Sequence, residues 1–228
     1  FLIANGLSEA GHNITITSLS CGNKPFFYLN NDIKITSLFE TSGRTLFRAP
    51  LIISKLRKLL KEEKIDVLIV VESMSVLFSL PATLSLPVKH ICWEHFNFKN
   101  DLGKAGRRVA RQLAARCCDS VVTLTERDKQ YWLNGTKHRN QITVISNPCP
   151  FTIQQNIYNT KSKIVLAVGR LVEIKGYDLL LKAWIKVAEA APDWQLKIVG
   201  EGDEREVLNQ FIIDNDLMGN VELVGNTD

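Results

Sequence analysis

Two five-residue stretches, Val67-Leu-Ile-Val-Val71 and Ile164-Val-Leu-Ala-Val168, are apolar at every position. A strand with one wet face alternates apolar and polar residues, whereas an uninterrupted apolar run reads as a parallel strand buried on both faces. The second run stops at Gly169. Leu179, Leu180, Ala183, Trp184 and Val187 then recur at helical spacing beyond Gly176. The same strand-then-helix alternation fills the rest of the chain. Phe1–His12 reads as the last turns of a helix closed by Gly11, and Ile14–Leu19 and Ile33–Phe39 read as strands. Ile52, Ile53, Leu56, Leu59 and Leu60 mark a helix before Val67–Val71, and Ser73–Ser85 a short helix after it. Val88–Trp93, Ser120–Leu124 and Ile142–Ser146 are strands separated by helices at Ala105–Cys118 and Glu126–Leu133. Such alternation predicts an α/β protein with parallel sheets and right-handed crossovers.

Asn147-Pro148-Cys149-Pro150 and the polar stretch Gln154–Lys163 form the best linker, and a fresh α/β pattern starts at Ile164. The expected organisation is two Rossmann-like domains, residues 1–149 and 150–228, the second cut short. A doubly wound domain normally has a strand and a glycine-rich turn ahead of its first helix, so the first domain is expected to lack its opening strand.

Between the strand Ile164–Val168 and the following helix stand Arg170 and Lys175, flanked by Gly169 and Gly176. Open backbone N–H groups, the positive end of a helix and two cations together suit a diphosphate. A second glycine-rich turn, Gly200-Glu201-Gly202, follows the strand Gln195–Val199. On these residues, Gly-Arg-Leu-x-x-x-Lys-Gly followed by Gly-Glu-Gly, the chain resembles the donor domain of retaining glycosyltransferases of the GT-B fold, the large family numbered four. Within it, the chain is most similar to enzymes that build bacterial lipopolysaccharide, capsule or exopolysaccharide.

The resemblance implies a GT-B fold and transfer of a hexose, with retention, from a nucleotide sugar (expected to be a UDP-sugar) to a lipid-linked glycan. Gly169, Arg170 and Lys175 would bind the donor diphosphate, and Gly200, Glu201 and Gly202 would lie beside the donor. In Trp93-Glu94-His95-Phe96, His95 would contact the transferred sugar or support the reacting centre, with Glu94 orienting it; a loop histidine packed between aromatics is the plainer reading. The family's glutamate pair for the donor sugar and ribose falls beyond Asp228. A non-catalytic remnant, or another GT-B enzyme such as a nucleotide-sugar epimerase or a phosphorylase, remains an alternative.

Lys104, Arg107, Arg108 and Arg111 fall on one helical stripe, with Val109, Leu113 and Cys117 opposite. They are expected either to be solvated or, with Arg57, Lys58 and Lys61, to meet an anionic membrane surface or lipid-diphosphate acceptor. Nucleic acid is not an expected partner, because no binding motif or interleaved aromatics accompany these cations. Asp214-Asn215-Asp216 mimics a metal motif but reads as a helix end, so no metal and no cofactor are expected. His12, His90 and His138 read as structural. The five cysteines lack metal-ligand spacing and suit reduced thiols in the cytoplasm. The first residues have neither a basic head nor a long apolar run, and no stretch approaches the ~18 apolar residues of a membrane span. Cytoplasmic placement, with peripheral attachment to the inner face of the plasma membrane, is the resulting expectation.

Overall fold

The computed structural model describes residues 1–22, 25–43, 45, 47–149, 151 and 162–227. The chain divides into two compact units, Phe1–Thr152 and Ile153–Asp228. The linker expected between Asn147 and Lys163 lies largely outside the described residues.

Unit 1 contains α1 (Leu2–Glu9), β1 (Thr15–Ser20), β2 (Lys34–Phe39), α2 (Ala49–Glu62), β3 (Val67–Val71), α3 (Val76–Thr83), β4 (Lys89–Trp93), α4 (Ala105–Cys117), β5 (Ser120–Thr123), α5 (Glu126–Gly135) and β6 (Gln141–Val144). β1 and β2 form a parallel pair, and β3-β4-β5-β6 a parallel sheet in sequence order. Val71 lies opposite Trp93, so the next residues, Glu72 and Glu94, emerge side by side at one edge. Trp132 of α5 is fully buried with Val70, Cys92, Val121 and Ile142 from the sheet. Ala110, Ala114 and Ala115 of α4 are also fully buried, their small side chains letting that helix close on the strands. α5 begins where Thr125 accepts a hydrogen bond from Asp128 N at 3.1 Å, a cap contributing about 1 kcal/mol.

Unit 2 contains β7 (Ile164–Val168), α6 (Tyr177–Ala190), β8 (Gln195–Val199), α7 (Arg205–Asp214) and β9 (Val221–Gly225), its parallel strands ordered β7-β8-β9. Successive right-handed crossovers in one direction put α6 and α7 on the same face. There Leu181, Trp184, Leu208 and Ile212 meet Leu196 and Ile198. α7 ends at Asp214; the N–H groups of Asp216 and Leu217 return to Ile213 O and Ile212 O, so Asp214-Asn215-Asp216 closes a helix.

Both apolar runs differ from expectation in the same way. They are parallel strands with the expected bounds, yet each is buried on one face only. Ile164, Leu166 and Val168 stay 44%, 61% and 70% exposed, and Val67, Ile69 and Val71 are likewise exposed. Among the described residues, helices pack on one side of each strand, and the alternate side chains have no layer over them.

Candidate functional site

The loops after β7, β8 and β9 are tied to each other through their backbones. Gly169 N donates to Val199 O at 3.0 Å, Leu171 N to Glu201 O at 2.9 Å, and Gly200 N to Gly225 O at 2.8 Å. A Cβ on Gly200 would stand 2.1 Å from Gly169 O, and one on Gly202 only 2.2 Å from Leu171 O. Real Cβ atoms never come so near, so these two glycines are required by the neighbouring loop rather than by a ligand alone. Gly200 has φ +137 and Gly176 φ +68, which favour glycine a second time. Glu201, expected beside a donor, braces its own turn: its carboxylate pairs with Arg205 at 2.8 Å.

On this rigid base, Arg170 and Lys175 are exposed. Neither belongs to an ion pair among the described residues, and the nearby pairs use other groups, Asp178 with Lys182 and Glu201 with Arg205. Lys175 ends a single 3-10 turn, Glu173–Lys175, and Gly176 then turns the backbone into α6. Two free cations therefore sit between the carboxyl end of a parallel strand and the amino end of a helix, with Glu173 the one acidic group in that turn. Such an arrangement attracts anions.

In unit 1, the edge beyond β4 carries Glu94 and His95. Glu94 is fully buried; Ser73 Oγ donates to its Oε2 at 2.5 Å, Arg111 Nε approaches the same oxygen at 3.4 Å, and Phe96 N donates to Oε1 at 3.1 Å. With both oxygens engaged and its side chain buried, Glu94 braces the loop that carries His95. Arg111 completes the frame by donating to the carbonyls of Asn97 (3.1 Å), Phe98 (2.5 Å) and Asn100 (3.1 Å). Asp128 Oδ1 accepts from Phe98 N at 2.7 Å; burial pushes its carboxyl up, against the opposing pull of that bond. His95 itself is exposed, its ring 5.8 Å from that of Trp93.

The basic stripe of α4 is corrected by these contacts. Arg107 and Arg111 are among the most buried side chains of the unit, while Val109, expected inside, is exposed. The three alanines set which face turns inward, and the two arginines go in with them because Glu72 and Glu94 wait there: Arg107 Nη2 lies 2.5 Å from Glu72 Oε1. Arg108 pairs with Asp101, and Arg57 donates to the carbonyls of Ala82 and Leu84. Four cations on an outer face is thus not what the helix presents. Of those four, Lys104 and Arg108 remain at the surface.

Sequence reasoning missed Glu72, Ser73 and Asp128. Glu72 had a readable signal, being the first residue after a solid parallel strand, where ligands of such sheets gather. His90 is structural as expected, buried with Nε2 2.9 Å from Ser79 Oγ. No helix among the described residues is long and apolar enough to cross a membrane.

Two family models match in succession, Glycosyltransferase Family 4 over residues 1–150 and Glycosyl transferases group 1 over residues 150–228. An uncharacterized glycosyltransferase of Haemophilus influenzae is 37% identical over 225 residues, 99% of this chain and 63% of the relative. A Campylobacter jejuni protein named GalNAc-alpha-(1->4)-GalNAc-alpha-(1->3)-diNAcBac-PP-undecaprenol alpha-1,4-N-acetyl-D-galactosaminyltransferase is 29% identical, over 97% of this chain and 63% of its own. A solved glycosyltransferase of Rickettsia africae superposes with TM-score 0.67 at 17% identity, covering 99% of this chain and 63% of that one, and shares the GT-B fold. The chain therefore spans just under two thirds of the length of the curated relatives it matches.

Proposed function

Because this chain belongs to glycosyltransferase family 4, we propose that its protein transfers a hexose from a nucleotide sugar, a UDP-sugar, to a lipid-linked glycan during bacterial surface-polysaccharide synthesis, with retention at the anomeric carbon. The observation that carries the reading is the pair Arg170 and Lys175, exposed and outside every ion pair among the described residues, on a braced loop before α6. As the glycosidic bond breaks, negative charge builds on the departing nucleoside diphosphate. Cations fixed where that charge develops favour the transition state over the ground state. Charge-assisted hydrogen bonds contribute roughly 1.5–3 kcal/mol each, enough to matter for rate as well as for binding.

His95, on a loop held by Glu94, Arg111 and Asp128, is the candidate to meet the transferred sugar. Glu94 acts through that loop. The C. jejuni relative is named for a polyprenyl-diphosphate-linked acceptor, which supports a lipid-linked acceptor here and work at the inner membrane face. No metal or cofactor enters this reading.

The test is a screen of UDP- and GDP-sugars with the full-length protein, with and without lipid-linked acceptor, following free nucleotide and the anomeric configuration of the product by NMR. Acceptor-dependent release of UDP and a retained anomer are expected. Nucleotide-sugar turnover that needs no acceptor would instead favour an epimerase or a hydrolase.

A further inference from the structure

Glu72 has the largest positive φ of the non-glycine residues described. Cys21, Lys64, Ser85, Leu102, Lys163 and Asp216 also have positive φ, but between 49 and 59. Glu72 has φ 76 and ψ 134, a combination that glycine alone adopts readily. The residue is not in a loose loop: its N–H donates to Trp93 O at 2.8 Å, continuing the β3–β4 ladder, and its C=O accepts from Ser75 N at 3.1 Å. Strain held in place by a sheet ladder is a cost that the surrounding structure maintains.

The side chain is also held. Arg107, 3% exposed, pairs with Oε1, and the Phe96 ring covers the guanidinium with its centroid 4.3 Å from Cζ. Arg107 Nε and Nη1 are buried with no partner among the described residues. A buried arginine with two idle donors is a poor stabiliser, since apolar residues of similar volume fill such places at no loss. Its effect is to aim a carboxylate that remains about a third exposed at the carboxyl edge of β3. The same arginine touches Phe96, the residue after His95, so Glu72 and the His95 loop share one clamp.

We propose that Glu72 is an acceptor-binding residue, its carboxylate taking hydrogen bonds from sugar hydroxyls of the acceptor glycan. The proposal rests on the reading of this protein as a glycosyltransferase. A fixed carboxylate with an exposed oxygen accepts from hydroxyl groups and repels phosphate, which assigns it the sugar end of a lipid-diphosphate glycan rather than the diphosphate.

The experiment compares wild-type full-length protein with Glu72→Gln, which keeps an oxygen for Arg107, and with Glu72→Asp, which keeps the charge but draws it back. Three quantities are read: KM for a lipid-linked oligosaccharide, UDP affinity, and thermal stability. Glu72→Gln is expected to raise the acceptor KM roughly ten- to a hundred-fold while UDP affinity stays as in wild type, and to lower the melting temperature because buried Arg107 loses its counter-charge. If Glu72→Gln does not fold, Glu72→Asp carries the same expectation with a smaller rise. An unchanged acceptor KM in a folded variant, or a parallel loss of UDP affinity, overturns the proposal and leaves the glycosyltransferase reading standing. Absence of any wild-type transfer overturns both.

Discussion

Arg111 Nε lies 3.4 Å from Glu94 Oε2, and neither side chain reaches solvent. This pair sits under the loop that presents His95, and it joins the interior of unit 1 to its candidate site.

Removing one member of such a pair leaves the other charged and dry. Arg111→Ala is expected to destabilise the protein by about 3–5 kcal/mol, measured by urea unfolding. The double variant Arg111→Met, Glu94→Gln should recover much of that loss, because no buried charge is left alone. A loss in the double variant equal to the sum of those of Arg111→Met and Glu94→Gln alone would mean the two side chains do not depend on each other.

Lys175→Ala and Arg170→Ala act on exposed groups that belong to no ion pair among the described residues. Each should change unfolding free energy by no more than about 0.5 kcal/mol. In the full-length protein each should weaken UDP binding roughly ten- to a hundred-fold, read by calorimetry, and slow transfer as well. Unaltered binding and turnover in both variants would remove the basis for a diphosphate site on this loop.

Gly200→Ala puts a methyl group 2.1 Å from Gly169 O at a backbone angle of φ +137. Neither the carbonyl nor the backbone angle can yield cheaply, so a loss of about 3 kcal/mol or more is expected in thermal or chemical unfolding. UDP binding should fall with it, since Arg170 follows the displaced carbonyl. Wild-type stability in Gly200→Ala would show that the two loops are able to separate.

His90 gives a pH dependence. Burial holds its pKa down to about 4 from 6.5, against the upward pull of Asp119. The folded state thus keeps the ring neutral while the unfolded chain binds a proton below 6.5. Its contribution is fully present above pH 6.5 and is lost as pH falls from there to about 4, on the order of 3 kcal/mol over the whole window. Unfolding free energy measured from pH 7 to 4 should therefore fall more steeply in wild type than in His90→Gln.

The strands and helices were legible because their signals are local: five apolar residues in a row, or apolar residues three and four apart. The β7–α6 turn was legible for the same reason, its glycines and cations being neighbours in sequence. The inward turn of α4 was not. Spacing identified one face bearing Lys104, Arg107, Arg108 and Arg111, but spacing alone does not say which face a helix buries, and cations were assigned outward. What decided it were Glu72 and Glu94, 35 and 17 residues from their arginines and visible as partners only after the sheet had aligned β3 with β4. The bare faces of β3 and β7 were hidden likewise, because an apolar run records what a strand can bury and not what has been laid over it.

With a carbonyl oxygen filling the place of a Cβ at Gly200 (from Gly169) and at Gly202 (from Leu171), the seam joining two turns of unit 2 leaves these two positions no side chain to exchange. Drift or engineering has nothing there to vary. If this loop is the proposed donor site, altered donor preference through this part of the molecule would come from the outward rim (Arg170, Glu173, Ile174 and Lys175), and a library confined to those four exposed positions would leave the glycine seam beneath untouched.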